Sequence, residues 1–243
     1  MKLKKKTFII AEVGNNHEGS FVVAKKLVVL AAKAGADAVK FQTFKTQNFI
    51  RKEDKKRFNQ LKKFELSYKQ FEFLKKLANK NKIKFISTPL DLESADFLIK
   101  NSDTIKIASG DNNFFPLIEK ILNSKKSLII STGMTDIKDL KYLIKTIEDR
   151  IGKENMKNKI SLLHCVTSYP VEDKYANLRS ISYLIKNFDI NIGYSDHTIG
   201  NEACLASIAL GAKIIEKHFT LDKNFSKFRD HALSADFSDL KDL

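Results

Sequence analysis

Chemically reactive side chains stand near the C-terminal end of the sequence, in a segment that is otherwise apolar. In Ile214–Leu221, IIEKHFTL, a carboxylate, an ammonium and an imidazole (Glu216, Lys217 and His218) follow two isoleucines. A buried strand should stay apolar, and a strand with one solvated face should alternate more regularly. The pattern therefore predicts a strand whose far end takes part in chemistry.

His197 and His218 are together a candidate site for a divalent cation. They stand at the same end of two consecutive predicted strands, and neighbouring strands lie about 4.8 Å apart. Alternation along each strand places Ser195 on the face of His197, and Glu216 on the face of His218. Two inward imidazoles can share an ion at about 2.1 Å and leave coordination positions for substrate or water. The alternative is that both are hydrogen-bonded polar residues of a core.

Three further histidines are predicted at the same rim. His17 stands just past the first predicted strand, His164 lies within the sixth, and His231 lies in the loop after the eighth. A single histidine is more commonly structural than catalytic. Five at one rim favour a functional site for the group, although not for each member.

Two lysines interrupt predicted strands, and hydroxyl groups stand at the ends of others. Lys40 in AVKFQT and Lys106 in TIKIASG each need a partner for a buried ammonium, which a phosphate or carboxylate would supply. The hydroxyl residues at strand ends are Thr88, Ser109, Ser131, Thr132 and Ser168. Hydroxyls and lysines together suit an anion with several acceptor oxygens, which favours a phosphorylated substrate.

Carboxylates complete the candidate set. Glu12 in the first strand and Asp111 just past the fourth are inward candidates for proton handling or for holding hydroxyls, and Asp230 is predicted near the same rim. Asp196 and Glu202 are better explained as caps of a loop or of the next helix.

The elements that must position these residues alternate along the whole chain. Short β-branched runs predict strands at 8–14, 38–43, 84–89, 104–109, 127–133, 160–167, 191–196 and 213–219. Amphipathic helical patterns lie between them, which predicts an α/β fold, a (β/α)₈ TIM barrel, as a single domain over 1–243 with its site at the C-terminal ends of the strands. A doubly wound sheet is the alternative, but it would usually carry a glycine-rich turn after the first strand.

Two segments depart from the simple repeat. Residues 44–66 form an insertion that we expect over the C-terminal mouth of the barrel. The last helix, in SADFSDLKDL, looks cut short at the end of the sequence.

Composition argues against several classes of protein. The net charge is +14, but only five of the 43 basic residues are arginines and the lysines are scattered, which does not favour nucleic-acid binding. No run of about 18 apolar residues predicts a membrane span. The apolar part of the N-terminal MKLKKKTFIIAEVG is too short for a secretory signal. Two cysteines without metal-binding spacing, Cys165 and Cys204, are typical of a reduced, cytoplasmic protein.

The motifs, taken in order, resemble those of the sialic acid synthase family, which comprises N-acetylneuraminate, legionaminate and pseudaminate synthases. The matching stretches run from Phe8 to Leu240 and are AEVGNNHEGS, AVKFQT, FISTP, IKIASGD, STGM, LLHCVTSYP, GYSDHT, IEKHFTLD and DHALSAD. The resemblance implies a metal-assisted condensation of phosphoenolpyruvate with an N-acylated mannosamine-type aldose. The products would be a nonulosonic acid and inorganic phosphate.

The resemblance also implies roles for individual residues. His197 and His218 would hold the divalent ion, Mn²⁺ or Mg²⁺, and Asp111 would handle a proton at a position where some relatives carry Glu. The implied contacts to phosphoenolpyruvate are Lys40, Thr88, Lys106, Ser109, Ser131 and Ser195, with Ser168 at a position where some relatives have Asn. The implied contacts to the sugar or to metal-bound water are Glu12, Gln42, Tyr169, Glu216 and Asp230.

The sequence departs from the family at its end. Family members usually continue into a small antifreeze-like domain, which covers the partner's site in a homodimer and supplies an arginine. We expect no such domain within these 243 residues, and a homodimer if the lid comes from elsewhere.

Two other functions remain open from the residues. The first is a Schiff-base aldolase on the same barrel, which would use Lys40, Lys106 or Lys217. The second is a non-catalytic barrel that binds a sugar or a phosphate.

Overall fold

A computed structural model describes residues 6–243, and within them eight parallel strands close into a barrel in sequence order. The predicted (β/α)₈ fold is confirmed. The strands are β1 (Phe8–Gly14), β2 (Ala38–Thr43), β3 (Lys84–Pro89), β4 (Thr104–Ile107), β5 (Ser127–Ser131), β6 (Ile160–Cys165), β7 (Asn191–Asp196) and β8 (Ile214–His218).

Helices surround the barrel and connect its strands. They are α1 (Phe21–Ala34), α2 (Thr46–Phe49), α3 (Lys55–Phe64), α4 (Tyr68–Lys80), α5 (Leu92–Asn101), α6 (Phe115–Asn123), α7 (Ile137–Ile151), α8 (Lys153–Lys159), α9 (Arg179–Asn187), α10 (Glu202–Ala209), α11 (Asp230–Leu233) and α12 (Phe237–Asp242). Two 3₁₀ turns cover Ser109–Asp111 and Asp173–Tyr175.

Local sequence explains where the helices begin. A capping box is present at α4, where the Ser67 hydroxyl accepts from the Gln70 amide and the Gln70 side chain accepts from the Ser67 amide. Along α4, Phe71, Leu74 and Ala78 are buried toward the sheet. Spacings of three and four residues bring such side chains onto one face, and the main hydrophobic core therefore lies between the sheet and the helices.

A thin apolar layer divides the interior of the barrel. It consists of Ile10, Ala38, Ile86, Ile129 and Leu163, which are all buried and in contact. Inward residues two positions further along these strands, toward their C-terminal ends, are mostly polar. Alternation thus divides the interior into two halves. The upper half, toward the C-terminal ends of the strands, is mostly polar, and the lower half lies toward their N-terminal ends.

Gly193 in β7 has no room for a side chain between its neighbours in β6 and β8. A Cβ at this position would lie 2.4 Å from the carbonyl oxygen of Ile214 and 2.6 Å from Cδ2 of Leu163. Such contacts are too short for any side chain. The register of β6, β7 and β8 therefore depends on glycine at this position.

The insertion over 44–66 lies at the C-terminal mouth, as predicted, and it is largely helical. Asp54 caps α3 by accepting from the Arg57 amide. Leu61 and Phe64 of α3 are buried in a small satellite core that also contacts Phe228. This core fixes one wall of the upper half of the barrel.

The final helix, α12, has six residues and is capped by Asp236. Over residues 6–243 we find no helix with the length and hydropathy required to cross a membrane.

Candidate active site

A cavity of about 900 Å³ opens at the C-terminal ends of the strands. Fourteen of the predicted site residues line it. They are Glu12, Lys40, Gln42, Thr88, Lys106, Ser109, Asp111, Ser131, Tyr169, Ser195, His197, Glu216, His218 and Asp230.

Four buried ionisable side chains, those of Glu12, Lys40, Lys106 and Glu216, form the floor of this cavity. The Lys40 ammonium lies 3.0 Å from Oε2 of Glu12 and 3.5 Å from Oε2 of Glu216. The Lys106 ammonium lies 3.7 Å from Oε1 of Glu216. All four side chains are buried, so their interactions are only weakly screened by solvent.

The two carboxyl groups respond in opposite directions to this environment. Burial raises the pKa of Glu12 to about 7, although Lys40 opposes the shift. Burial would also raise the pKa of Glu216, but Lys106 and Lys40 outweigh it and lower that pKa. Glu216 is therefore the ionised partner of both lysines, while Glu12 titrates near neutral pH.

The two ammonium groups also differ. Burial, which lowers the pKa of an ammonium group, is the largest single influence on both. Glu12 and Glu216 nevertheless raise the pKa of Lys40, whereas the pKa of Lys106 is lowered. Whenever Glu12 is protonated and both lysines are charged, the four groups carry a net positive charge. The floor of the cavity can then accept an anion.

Hydroxyl groups hold the lysines in place. Nζ of Lys106 donates to Oγ of Ser131 at 2.6 Å, and Nζ of Lys40 donates to Oγ1 of Thr88 at 3.3 Å. Ser195 donates to Glu216 at 2.9 Å. Ser109 accepts from the Gly133 amide at 3.2 Å, which places its hydroxyl in the same wall.

His197 and His218 lie next to each other in the same cavity, two residues beyond Ser195 and Glu216 along the chain. Their ring centroids are 5.3 Å apart, and the Tyr169 ring lies 4.1 Å from that of His197. Nδ1 of His197 contacts the carbonyl oxygen of Val166 at 2.7 Å, which leaves Nε2 for a ligand. Burial lowers the pKa of His197, and lowers that of His218 still further, so both imidazoles are neutral at pH 7.

These two rings have the chemistry of metal ligands. Neutral imidazoles bind divalent ions, and a backbone carbonyl on the second nitrogen of one ring orients it. Nδ1 of His218 is buried and has no hydrogen-bond partner in the described chain. Within residues 6–243 there is no cluster of three or more His, Cys, Asp or Glu arranged around a metal position. The fit is thus to an ion with two protein ligands and several open positions.

The other three histidines lie near the C-terminal ends of β1, β6 and β8, but they do not line the cavity. His164 points outward from β6 and contacts the Ala176 carbonyl at 2.8 Å. His17 is buried, and its Nδ1 accepts from the Gly19 amide. His231 lies in α11 rather than in a loop and contacts Glu18 at 3.0 Å. Their roles are structural.

A second buried network lies behind the histidine pair, on the outer face of β7 and β8. Nζ of Lys217 donates to Asp196 and to the Thr198 carbonyl, both at 2.6 Å. Asp196 also accepts from the Tyr194 hydroxyl at 2.9 Å and from the Thr198 amide. Asp196 thus caps the loop that carries His197, in keeping with the structural role predicted for it.

Ser168, like Thr132, does not reach the cavity. Its side chain is exposed, and its hydroxyl donates to the Pro170 carbonyl at 2.9 Å. Asp111 does line the cavity from a 3₁₀ turn, and burial raises its pKa.

Sequence reasoning missed several lining residues. The Arg229 guanidinium lies 4.6 Å above the Tyr169 ring, and Asn15 donates to Gln42 at 2.8 Å. Cys165 and Arg57 also line the cavity. Arg57 and Arg229 lie on the insertion and on the segment after β8, where strand periodicity gives no signal. Cys165 ends β6 and could have been placed inward by alternation from Leu163.

Comparison with known proteins gives a consistent result. Residues 27–243 match the model described as the NeuB family. An uncharacterised protein of Methanocaldococcus jannaschii is 48% identical over 98% of this chain and 68% of its own length. The N,N'-diacetyllegionaminic acid synthase of Campylobacter jejuni is 43% identical over 98% of this chain and 75% of its own. The N-acetylneuraminic acid synthetase structure from Leptospira borgpetersenii superposes with a TM-score of 0.92 at 34% identity, covering 98% and 81% of the two chains.

Proposed function

This chain belongs to the NeuB family of sialic acid synthases, and we propose that it condenses phosphoenolpyruvate with an N-acylated, mannosamine-type amino sugar. The products would be a nonulosonic acid and inorganic phosphate. One observation carries the proposal. A single cavity holds two buried lysine ammonium groups among hydroxyls on its floor and, beside them, a pair of neutral imidazoles.

The floor suits phosphoenolpyruvate. Its phosphate and carboxylate present several anionic oxygens, and charge-assisted hydrogen bonds from Lys40 and Lys106 would bind them. The hydroxyls of Thr88, Ser109 and Ser131 supply further donors around the same place. The protonation states of Glu12 and Glu216 determine the net charge of this floor.

The pair of imidazoles, His197 and His218, suits the sugar. In the proposed reaction, carbon 3 of phosphoenolpyruvate forms a bond to the aldehyde carbon of the open-chain sugar, whose oxygen takes up a proton. Water adds at carbon 2, and the bond between carbon 2 and the phosphate oxygen breaks. His197 and His218 would hold a divalent ion, Mn²⁺ or Mg²⁺, which when bound polarises the aldehyde as a Lewis acid.

Proton handling falls to the carboxyl groups nearest the reacting atoms. Glu12 has a pKa of about 7, so it can both give and take a proton near neutral pH. Asp111 lines the same cavity, two residues after the proposed phosphoenolpyruvate contact Ser109, and burial raises its pKa, which suits it to receive a proton from the attacking water. Tyr169, Gln42 and Asp230 remain as contacts to sugar hydroxyls.

Thermal unfolding tests the proposal before the sugar is known. We would compare the parent with the His197→Ala/His218→Ala variant, each with phosphoenolpyruvate, with Mn²⁺ and with both. A ligand at 100 times its Kd stabilises by about 2.7 kcal/mol, and roughly 2–4 °C per kcal/mol is expected at this size. We expect phosphoenolpyruvate to stabilise both proteins and Mn²⁺ to stabilise only the parent. No shift in a folded sample would contradict the proposal, whereas the expected shifts would be followed by assays of phosphate release with candidate sugars to identify the acceptor.

A Schiff-base aldolase is the second candidate, and one observation favours it. The pKa of the buried Lys106 is lowered, as a nucleophilic amine requires. The raised pKa of Lys40 and the outward pairing of Lys217 with Asp196 argue against the other two lysines. Borohydride reduction in the presence of pyruvate distinguishes the two functions. A covalent adduct on Lys106 would favour the aldolase, whereas its absence together with phosphate release would exclude it.

A further inference from the structure

A second cavity, of about 650 Å³, opens at the N-terminal mouth of the barrel. The apolar layer separates it from the candidate active site. Ile86 and Ile129 form part of its inner end, whereas Thr88 and Ser131, two residues later on the same strands, line the upper cavity. The volume lies within the range of about 300–1,000 Å³ that is usual for small-molecule sites.

The charge of this lower cavity has one sign. Lys6, Lys84, Lys159 and Lys213 line it, and among residues 6–243 no carboxylate does. Lysines alone would not mark a site in a chain with 43 basic residues. The chain also carries 29 acidic residues, however, and these pair with lysines at many other places on its surface.

The four lysines have no carboxylate partner within the described chain. None takes part in a salt bridge. The five residues that precede Lys6 contain three further lysines and no acid, so their charge has the wrong sign to neutralise this mouth. Like charges around one concave surface repel each other, and a bound anion relieves that repulsion.

The remaining lining residues indicate what kind of anion fits. The hydroxyls of Thr104, Ser127 and Ser161 lie at the starts of β4, β5 and β6 and can donate to phosphate oxygens. Phe8 and Ile214 add apolar surface beside the layer, and the Lys84 ammonium lies 5.6 Å from the Phe8 ring. Lysines and hydroxyls at the rim with apolar groups below suit a phosphate carried on an organic ring.

We propose that the N-terminal mouth of the barrel is a second binding site, specific for an organic phosphate such as a sugar phosphate or a nucleotide. The ring contacts Phe8 and the apolar layer, and the phosphate lies among the four lysines. This site is independent of the proposed condensation, because no residue lines both cavities.

Calorimetric titration of the whole chain tests the proposal. The probes are ATP, glucose 6-phosphate and inorganic triphosphate, without divalent ions. The variant Lys84→Met/Lys213→Met removes two charges but keeps the apolar stems. The matched control is Lys138→Met/Lys141→Met, which removes the same charge from exposed positions on α7.

We expect at least one organic phosphate to bind more tightly than inorganic triphosphate. Its Kd should rise tenfold or more in Lys84→Met/Lys213→Met and stay within twofold in the control. Saturating phosphoenolpyruvate should leave that Kd unchanged. Whichever of ATP and glucose 6-phosphate binds identifies the source of the phosphate.

Three results would overturn the proposal. They are equal weakening by the control pair, displacement of the probe by phosphoenolpyruvate, and the absence of binding or of any preference for an organic phosphate. Ser127→Tyr provides a second test, since it fills the cavity without changing its charge. A folded Ser127→Tyr protein that binds the probe as tightly as the parent would also exclude this site.

Discussion

At the scale of single residues, the floor of the upper cavity shows how two identical carboxyl groups acquire different properties. Glu216 contacts both lysines and remains ionised, whereas Glu12 has only Lys40 as a close partner. Burial is therefore the dominant influence on Glu12 and raises its pKa to about 7. A pair of acids separated in this way can supply a fixed charge and a mobile proton in one site.

This difference predicts a pH dependence of stability. The pKa of Glu12 is 4.5 in the unfolded reference and about 7 in the folded chain, so folding binds a proton between these values. The contribution of Glu12 to stability should therefore fall as pH rises across that interval, by at most about 3 kcal/mol. The lowered pKa of Glu216 acts in the opposite direction below its unfolded value, and the lowered pKa values of His197 and His218 do so below theirs.

Glu12→Gln should remove this part of the pH dependence. Urea unfolding at about pH 5 and about pH 8, without metal, measures it. The exposed Glu72→Gln is the control and should follow the parent. An equal change of stability with pH in the parent and in Glu12→Gln would show that Glu12 is ionised throughout.

The histidine pair leads to a second prediction at this scale. His218→Asn should weaken Mn²⁺ binding roughly tenfold or more, because one of two protein ligands is lost. His164→Asn is the matched control, since its imidazole points outward and contacts Ala176. The electron paramagnetic resonance signal of free Mn²⁺ measures both affinities. Equal losses in the two variants would mean that His218 does not bind the ion.

At the scale of elements, the last two strands act as a two-sided support. Their inner faces carry Ser195 and Glu216, and their outer faces carry the Lys217–Asp196 ion pair, which is almost fully buried. The loop after β7 is bound to this pair through Thr198. The position of His197 therefore depends on residues that never contact the cavity.

We expect Lys217→Met to destabilise the chain by about 3–5 kcal/mol, because it leaves the Asp196 carboxylate buried without its charged partner. The double variant Lys217→Met/Asp196→Asn should lose less stability than the sum of the two single variants, since removing both charges leaves neither uncompensated. A double-mutant cycle by urea unfolding measures the coupling. Additive effects would show that the two side chains do not interact.

The close approach of β6, β7 and β8 gives a further prediction. Gly193→Ala should destabilise by about 1–3 kcal/mol, because its Cβ meets the Ile214 carbonyl and Leu163. Gly110→Ala is the control, as a Cβ there meets nothing within 4 Å. Thermal unfolding midpoints compare the two. An unchanged midpoint for Gly193→Ala would contradict the dependence of the strand register on glycine at this position.

The strands were predictable because their inner and outer faces obey a period of two. Lys40, Lys106 and Glu216 could be placed inside the barrel by counting from buried neighbours. His164 could be placed on the outer face in the same way, by alternation from Leu163, but its contact with the Ala176 carbonyl could not be predicted. Ser168 and Arg229 lie on loops, whose path is determined by contacts such as that between Phe228 and Phe64. No local pattern encodes those contacts.

At the scale of the whole molecule, the net charge is +14, and basic residues line both mouths of the barrel. A positive field raises the local concentration of anions and speeds their association. The proposed sugar is neutral and should not respond. The net charge of the chain should therefore act on only one of the two proposed substrates.

This leads to a prediction about ionic strength. Raising KCl from about 0.02 M to about 0.3 M should lower kcat/KM for phosphoenolpyruvate several-fold, because salt screens the field. The kcat/KM for the sugar should change little. Steady-state kinetics with each substrate varied in turn would show this, and a parallel fall for both substrates would exclude electrostatic steering.

The apolar layer also determines how protons reach Glu12. Ile10, Ile86 and Leu163 have no side-chain donor or acceptor, so a file of hydrogen-bonded water cannot run along the barrel axis from the N-terminal mouth. Protons must then enter and leave through the opening that admits the substrates. A filled cavity is consequently closed to bulk buffer, and a proton taken up by Glu12 during turnover stays in the cavity until product departs.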